Sequence, residues 1–586
     1  MNKNILYTVK GVAGCLLMAS LAAGCAQEDI GTVPTGGDAM SPTSYVSLSF
    51  ASPQGAPTRS NPTGGETGDG DETGQDYEND ITSAVAFFYQ GSGTDGVNSK
   101  GDTPINAAVS FTVGNYTTPG NGIDRTYTTS PQQVDLENGT YNVIVVANPG
   151  ADWWTGKSLT LADVRDHIQT AAWTVSGSDY SNFVMTSAAD ATLTLESNPE
   201  DNPATAEVNV ERMAARLDYK TTGTYTCDDP AYESNNQKAT VEITGAALVN
   251  NLTAGSYLLK RVADDVKGTN LSYLGDETAD ENDVATNYVL DPWTAVKTST
   301  NNSFTIGGEA NKTAKDLYGE WFGNISQDPN HWAAYVQPGT EVTVGTETWQ
   351  RIGYTLENTT AAEEAGKRYS TGVVFKAKFH PQGVANYTDG ETFFEYGTKI
   401  YASMENMMKN FYGSKFDELD DLIKKCATWG DVKQFITSTL LTNDPSGYNK
   451  YLEGLAKVKD DAENVSDAFS LTWSNYMKNE CGYSKDENGK VVLDQNGKVT
   501  RIALKHYGTR TYEDATCYYT WWVRHSNDND DTKKGIMEYA IVRNNIYKLT
   551  VNSVYSLGGE VPDDESLIVD VYVNDWLLLD NETLPM

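Results

Sequence analysis

Two positions near the amino terminus carry chemistry of their own. Cys25 directly follows Leu21-Ala22-Ala23-Gly24. A thiol behind small residues, at the end of an apolar run, is an acceptor for lipid and would become the acylated first residue of a mature chain. Arg59 is the only basic residue between Pro53 and Pro62, and it is followed by Ser60. An arginyl bond in loose chain is open to a protease. The other chemical patterns fail. The five histidines, His167, His331, His380, His506 and His525, are widely spaced and lack a metal-binding partner at motif spacing. Gly150 to Ser158 ends in Gly156-Lys157-Ser158, but the glycines are one residue too far apart for a phosphate loop. No Gly-x-Ser-x-Gly elbow occurs. Asp69, Asp71, Gly74 and Asp80 echo a calcium loop, yet Thr73 breaks it and no helices flank it, so a solvated acidic linker is expected. The sequence predicts no catalytic residue, no metal and no cofactor.

The elements around these positions give them meaning. Lys3 and Lys10 precede the apolar run Gly11 to Gly24, which makes a secretory signal too short to span a bilayer. Residues 1–25 are therefore read as a lipoprotein signal ending at Cys25, and the mature chain as anchored to a membrane or released from it. Residues 26–59 form a leader. Within it, Val46, Leu48 and Phe50 alternate with Ser47 and Ser49, the period of a half-buried strand. Linkers rich in Gly, Pro, Thr and acids lie on both sides of it. A lone strand between two linkers, with Arg59 in the second, suits a strand that proteolysis can detach.

The body reads as mostly β. Strands are expected at Asn79–Tyr89, after the Asn138-Gly139 turn through Val143-Ile144-Val145-Val146, and within Ala206–Tyr219, where Arg212 and Arg216 are interleaved with apolar residues. More follow at Thr240–Val249, Thr371–Phe379, Glu538–Tyr555 and Ser566–Leu579. Many short strands between Gly, Asn and Asp turns indicate β-sandwiches. Residues 397–476 differ: Phe416, Leu419, Ile423 and Cys426 recur at helical spacing, and two further helices follow. They read as a helical insertion, and Asp486–Thr500 as a protruding hairpin. The expected domains are residues 60–228 and 229–586.

Length and charge bound the rest. A chain of 586 residues needs more than one core. Its net charge of −37 excludes nucleic acid as a partner, because phosphate contacts need clustered Lys and Arg. Cys227, Cys426, Cys481 and Cys517 are scattered, form no C-x-x-C pair, and leave the disulfide state open.

Several runs, in order along the chain, carry a family resemblance. They are Gly139-Thr140-Tyr141 into Val143–Asn148, Glu211-Arg212-Met213-Ala214-Ala215-Arg216-Leu217, and Tyr354–Thr359 before Val373–Ala377. Tyr518-Tyr519-Thr520-Trp521-Trp522, Val542-Arg543-Asn544-Asn545-Ile546-Tyr547 and a terminal Ile568–Val573 strand complete the series. With the leader and Cys25, the chain resembles the fimbrillins of Bacteroidia type V pili, in particular the minor-fimbrium (Mfa-type) subunits. The resemblance implies two transthyretin-like β-sandwiches, outer-membrane export as a lipoprotein, and trimming after Arg59. It also implies a groove left by the leader and filled by the carboxy-terminal strand of a neighbouring subunit. Here residues 566–586 would be that donor, with Leu567, Val569, Val571 and Val573 on one face and Trp576 beyond. The implied partners are further fimbrial subunits, anchor and tip proteins, and the protease; the implied role is adhesion. The chain departs from the family at Asp575, where a Pro is common before the last Trp, and in its helical insertion. The removable leader favours a stalk subunit over a tip. The alternative is a surface glycan-binding lipoprotein that does not polymerise, with Trp153-Trp154 and Trp521-Trp522 as stacking platforms, each pair burying one ring and exposing the other.

Overall fold

The computed structural model describes residues 43–51, 67–91, 100–113, 127–227, 229–263, 288–294, 303–306, 309–313, 317–322, 326, 328–360, 369–396, 399–403, 406–407, 410, 509–525, 537–562 and 567–577. Cys25, Arg59, Ser60, His506, Cys426, Cys481, the helices expected within 411–476 and the hairpin 486–500 lie outside the described residues.

The chain is mainly β, and most strands belong to two large sheets. The first runs in the order Ile105–Thr112, Ser83–Tyr89, Gly139–Ala147, Met185–Ser187, Ala204–Arg212, then β1 (Ser44–Ala51) and Tyr127–Thr128. Its middle strands are covered on both faces. Ala84, Ala86 and Phe88 enter one core with Val143, Val145 and Ala147. Val85, Phe87 and Tyr89 enter a second with Ile144 and Val146. This accounts for the unbroken apolar run Val143–Ala147: a strand covered on both sides does not alternate. The second core is closed by Leu252, Leu258, Trp293, Tyr318 and Trp321, from much later in the chain.

The second sheet runs Thr340–Val344, Glu347–Leu356, Ala214–Thr221, Asn545–Val554, Thr224–Cys227, Lys238–Val249, Gly372–Gln382 and Thr516–Trp522. The last strand, Leu567–Leu577, pairs antiparallel with Asn545–Val554 and parallel with β2 (Thr67–Thr73).

Several expectations change. The single strand expected across Ala206–Tyr219 is two strands in different sheets, Ala204–Arg212 and Ala214–Thr221, divided at the fully buried Met213. The apolar parity changes there, from even positions (Val208, Val210) to odd ones (Met213, Ala215, Leu217). Membership of the two sheets therefore divides at Met213, earlier than residue 228, and β2 joins the second sheet although it lies within 60–228. Asn79 ends a short helical turn, α1 (Asp76–Asn79), and the strand starts at Ser83. Glu538–Tyr555 is a strand only from Asn545, after turns in which Asn544 has φ of 58°. The Asn138-Gly139 turn joins no adjacent hairpin: Gln132–Val134 pairs with β1, while Gly139–Ala147 pairs with Ala191–Leu195. Gly139 has φ of 151°, and a Cβ there would meet Gln90 Nε2 at 3.3 Å.

Trp153 lies half-buried between Phe87 (5.5 Å) and the ring of His167 (3.9 Å), while Trp154 is buried. Trp521 and Trp522 are both half-buried against separate cores. Neither pair presents the exposed ring expected of a stacking platform. Cys227 and Cys517 are buried free thiols.

Burial, with Lys157 adding to it, pushes His167 down to about 4, against a side-chain hydrogen bond to Gln169 that raises it. Its folded value lies below its unfolded value of 6.5, so this ring supports the fold fully above pH 6.5. That support is lost as pH falls through 6.5 towards 4. His167→Phe, which keeps a flat ring against Trp153, is predicted to flatten the fall in melting temperature between pH 7 and pH 4.5. Differential scanning calorimetry of the two proteins across that range checks it.

Candidate functional site

The leader strand is docked. In β1, Val46 and Leu48 are fully buried and Phe50 is 1% exposed, while Ser47 and Ser49 face outward and are half-buried. The alternation read from the sequence is thus the alternation of burial. One edge pairs in parallel with Ala204–Arg212, from Val46 opposite Ala204 to Ala51 opposite Asn209. The other edge pairs antiparallel, first with Gln132–Val134 and then with Tyr127–Thr128. Between these two short strands Thr129 carries the ladder. Its N–H donates to Leu48 O (2.9 Å), its Oγ1 accepts from Leu48 N–H (2.9 Å), and its carbonyl accepts from Ser47 Oγ (2.9 Å). The strand is therefore interior to its sheet.

Its removal would leave two rows of backbone groups unpaired and open an apolar slot. The core around that slot holds Phe111, Tyr127, Val134, Val208 and Val210. Burial of Val, Leu and Phe stabilises by roughly 1.5–3 kcal/mol per side chain, so the slot has a comparable appetite for another strand of the same pattern.

The segment from Thr67 onward is held differently. Glu72 of β2 pairs with Arg216 and with Lys548. Glu78 of α1 accepts from Arg216 Nη1 at 2.9 Å and from the Tyr354 hydroxyl. Asp218 completes the cluster at 2.8 Å from Arg216 Nη2. Arg212 donates from Nε to Glu78 O (3.1 Å), from Nη2 to Asn79 Oδ1, and from Nη1 to Asn544 Oδ1 (3.3 Å). Glu78 also caps its own turn by accepting from Gln75 N–H at 2.7 Å. Arg212, Arg216, Glu72, Glu78, Asp218 and Lys548 are all buried. Three carboxylates thus meet three cations away from water. Burial alone would lower the Arg216 guanidinium, but Asp218, Glu78 and Glu72 outweigh it and hold the group well above the usual arginine value. One expectation fails here: the acidic segment before Asp80 is not solvated throughout.

The expected donor residues lie in the second sheet of their own chain. Val569 (6% exposed), Val571 (8%) and Val573 (1%) fill its core. Leu567 and Trp576 lie on the same strand, and their side chains are outside the described residues. The outer edge of this strand pairs with β2 from Asp71 opposite Asp575 to Thr73 opposite Leu577. Among the described residues, no helix is long and apolar enough to cross a membrane.

Residues 510–582 match the family model "Major fimbrial subunit protein type IV, Fimbrillin, C-terminal". No curated protein sequence matches the chain. Among solved structures, a fimbrilin from Porphyromonas gingivalis is similar at 12% identity and a TM-score of 0.31, over 92% of this chain and 99% of that one. A carboxy-terminally truncated tip fimbrial protein from the same organism is similar at 10% identity and a TM-score of 0.30, over 91% and 100%. The fimbrial anchor protein from that organism is similar at 11% identity and a TM-score of 0.19, over 57% and 78%.

Removing one member of a buried ion cluster leaves the others uncompensated, which costs about 3–5 kcal/mol. Arg216→Met is predicted to lower unfolding free energy by about that amount, because Glu72, Glu78 and Asp218 lose their shared cation. Urea unfolding followed by tryptophan fluorescence measures the loss; a change under about 1 kcal/mol would show that the cluster is not what ties down β2 and α1.

Proposed function

We propose that this chain, whose residues 510–582 match the fimbrillin carboxy-terminal family model, is a structural subunit of a cell-surface fimbria serving adhesion, built from two transthyretin-like sandwiches. In this reading the chain is exported as a lipoprotein acylated at Cys25 and cleaved after Arg59, and its role is not enzymatic. Cleavage releases β1 and empties its slot, and a strand from a neighbouring subunit takes its place. The observation that carries the reading is the docked leader: an interior strand with three buried apolar side chains, joined to the body through a linker that contains one arginine. Once cut from that linker, β1 is held only by contacts that another strand of the same pattern can reproduce. The segment downstream is held by ionic contacts that cleavage at Arg59 leaves intact.

The proposed donor is the carboxy-terminal strand, whose Val569, Val571 and Val573 repeat the spacing of Val46, Leu48 and Phe50. Its place in its own sheet has a kinetic consequence. Donation first breaks its ladder with Asn545–Val554 and uncovers the second core. Assembly is therefore limited by release of that strand, not by encounter of subunits. Neighbouring copies of this chain, tip and anchor proteins, and an arginine-specific protease are the proposed partners; the outer membrane and the fimbria on its surface are the proposed locations.

The test uses the full chain, wild type and Arg59→Ala, treated with an arginine-specific protease and run boiled and unboiled on a denaturing gel. The wild type should lose a leader ending at Arg59 and give a heat-labile ladder. Arg59→Ala should stay monomeric with β1 in place. Ladders of equal intensity from Arg59→Ala would contradict the cleavage step.

A further inference from the structure

We propose that the cavity between the Thr174–Ser181 hairpin region and the strand Glu347–Leu356 binds an acidic saccharide through Arg351. The cavity measures about 690 Å³, and a neighbouring one of about 400 Å³ shares Tyr180, Thr340 and Arg351 with it. Its charge is the first clue. The chain has 80 acidic residues against 43 Lys and Arg. Yet among the described residues the wall of the larger cavity includes no carboxylate, and its one charged side chain is Arg351. The smaller cavity carries Asp179 and Glu341, both exposed, at its outer end.

The state of Arg351 is the second clue. The residue is 7% exposed and makes no ion pair with a described residue. Its Nη1 donates to the hydroxyls of Tyr77 and Tyr354, the latter at 3.3 Å. The rings of Tyr180, Tyr354 and Tyr77 surround Cζ at 5.1, 5.4 and 5.6 Å from their centroids. Nη1 is thereby used, whereas Nε and Nη2 have no hydrogen-bond partner among the described residues and are not sealed from solvent. These two atoms form the edge of a guanidinium that grips a carboxylate with two parallel hydrogen bonds. A carboxylate entering from outside would meet this edge with a charge-assisted, two-pronged grip in a largely buried setting.

The remaining wall decides what carries the carboxylate. Trp173 and Tyr180 are half-buried there and offer ring faces. Thr170, Thr253 and Thr340 offer hydroxyls, and Ala246, Ala247 and Gly353 are small enough to leave the space open. Guanidinium, aromatic faces and hydroxyls together match a uronic-acid unit: a carboxylate on a ring that has apolar faces and a hydroxyl rim. Inorganic phosphate would use only the first of the three. This site is distinct from the leader groove, and its occupancy does not depend on polymerisation.

Calorimetric titration of the full chain with trigalacturonate tests the proposal, beside its methyl ester, maltotriose, inorganic phosphate and an acetylated tripeptide with a free carboxylate. Trigalacturonate should bind and quench tryptophan fluorescence; the ester and the neutral sugar should bind at least about ten-fold more weakly. Arg351→Gln and Arg351→Lys should each weaken binding by about ten-fold, the lysine variant because it loses the two-pronged grip. Ala171→Trp fills the cavity from its exposed rim without touching Arg351's partners, and it should abolish binding while the circular dichroism spectrum stays unchanged. Absence of binding, equal binding of the ester, or preference for the tripeptide or phosphate would overturn the proposal. So would full affinity in folded Arg351→Gln or Ala171→Trp.

Discussion

A strand inside a β-sheet satisfies two neighbours at once, so its absence leaves two edges to be repaired. That constraint governs β1. Its backbone joins Ala204–Arg212 on one side to Thr129 and its flanking strands on the other, and its Val46, Leu48 and Phe50 face completes a core. The short strands Tyr127–Thr128 and Gln132–Val134 pair with β1, which with a bridge between Thr129 and Val113 joins them to the sheet. A protein that needed β1 permanently would gain nothing from attaching it through a cleavable linker. In one that exchanges strands, the same arrangement fills the groove until the moment of assembly.

The two sides of that linker are held by different physics. Upstream, the hold is apolar burial and a hydrogen-bond ladder, both of which any strand of the right pattern can supply. Downstream, it is a buried cluster in which Glu72 and Glu78 depend on the particular positions of Arg216, Lys548 and Arg212. Such clusters are weak sources of net stability but strong sources of specificity, since each misplaced member leaves a charge buried and alone. Release of the leader therefore need not unravel the chain that follows it.

The sequence made β1 legible because one period-2 face suffices to specify a half-buried strand. The double-sided strand Gly139–Ala147 was legible through its β-branched run, whereas the switch of sheets at Met213 was read as one continuous strand although the apolar parity changes there. The ion cluster was not legible. Arg216 and Glu78 are 138 positions apart, and nothing local to Arg212 or Arg216 shows which distant segment covers them. The acidic stretch 67–78 carried the opposite signal, since Gly, Thr and Asp in series read as solvated linker whatever later folds onto them. Arg351 gave no local signal either; its ring partners Tyr77 and Tyr180 come from distant strands and turns. Trp153 and Trp521, which sequence marks as binding platforms, are consumed by packing.

The central claim is that β1 is a replaceable occupant of a groove that stays intact without it. Hydrogen exchange with mass spectrometry, on the intact chain, the cleaved monomer and the assembled polymer, tests this most directly. The account predicts that amides of 204–209 and 127–134 are protected in the intact chain, exposed after cleavage, and protected again on assembly, while 78–79, bonded within their own turn, stay protected throughout. Continued protection of 204–209 in the cleaved monomer, with β1 still bound, would contradict it.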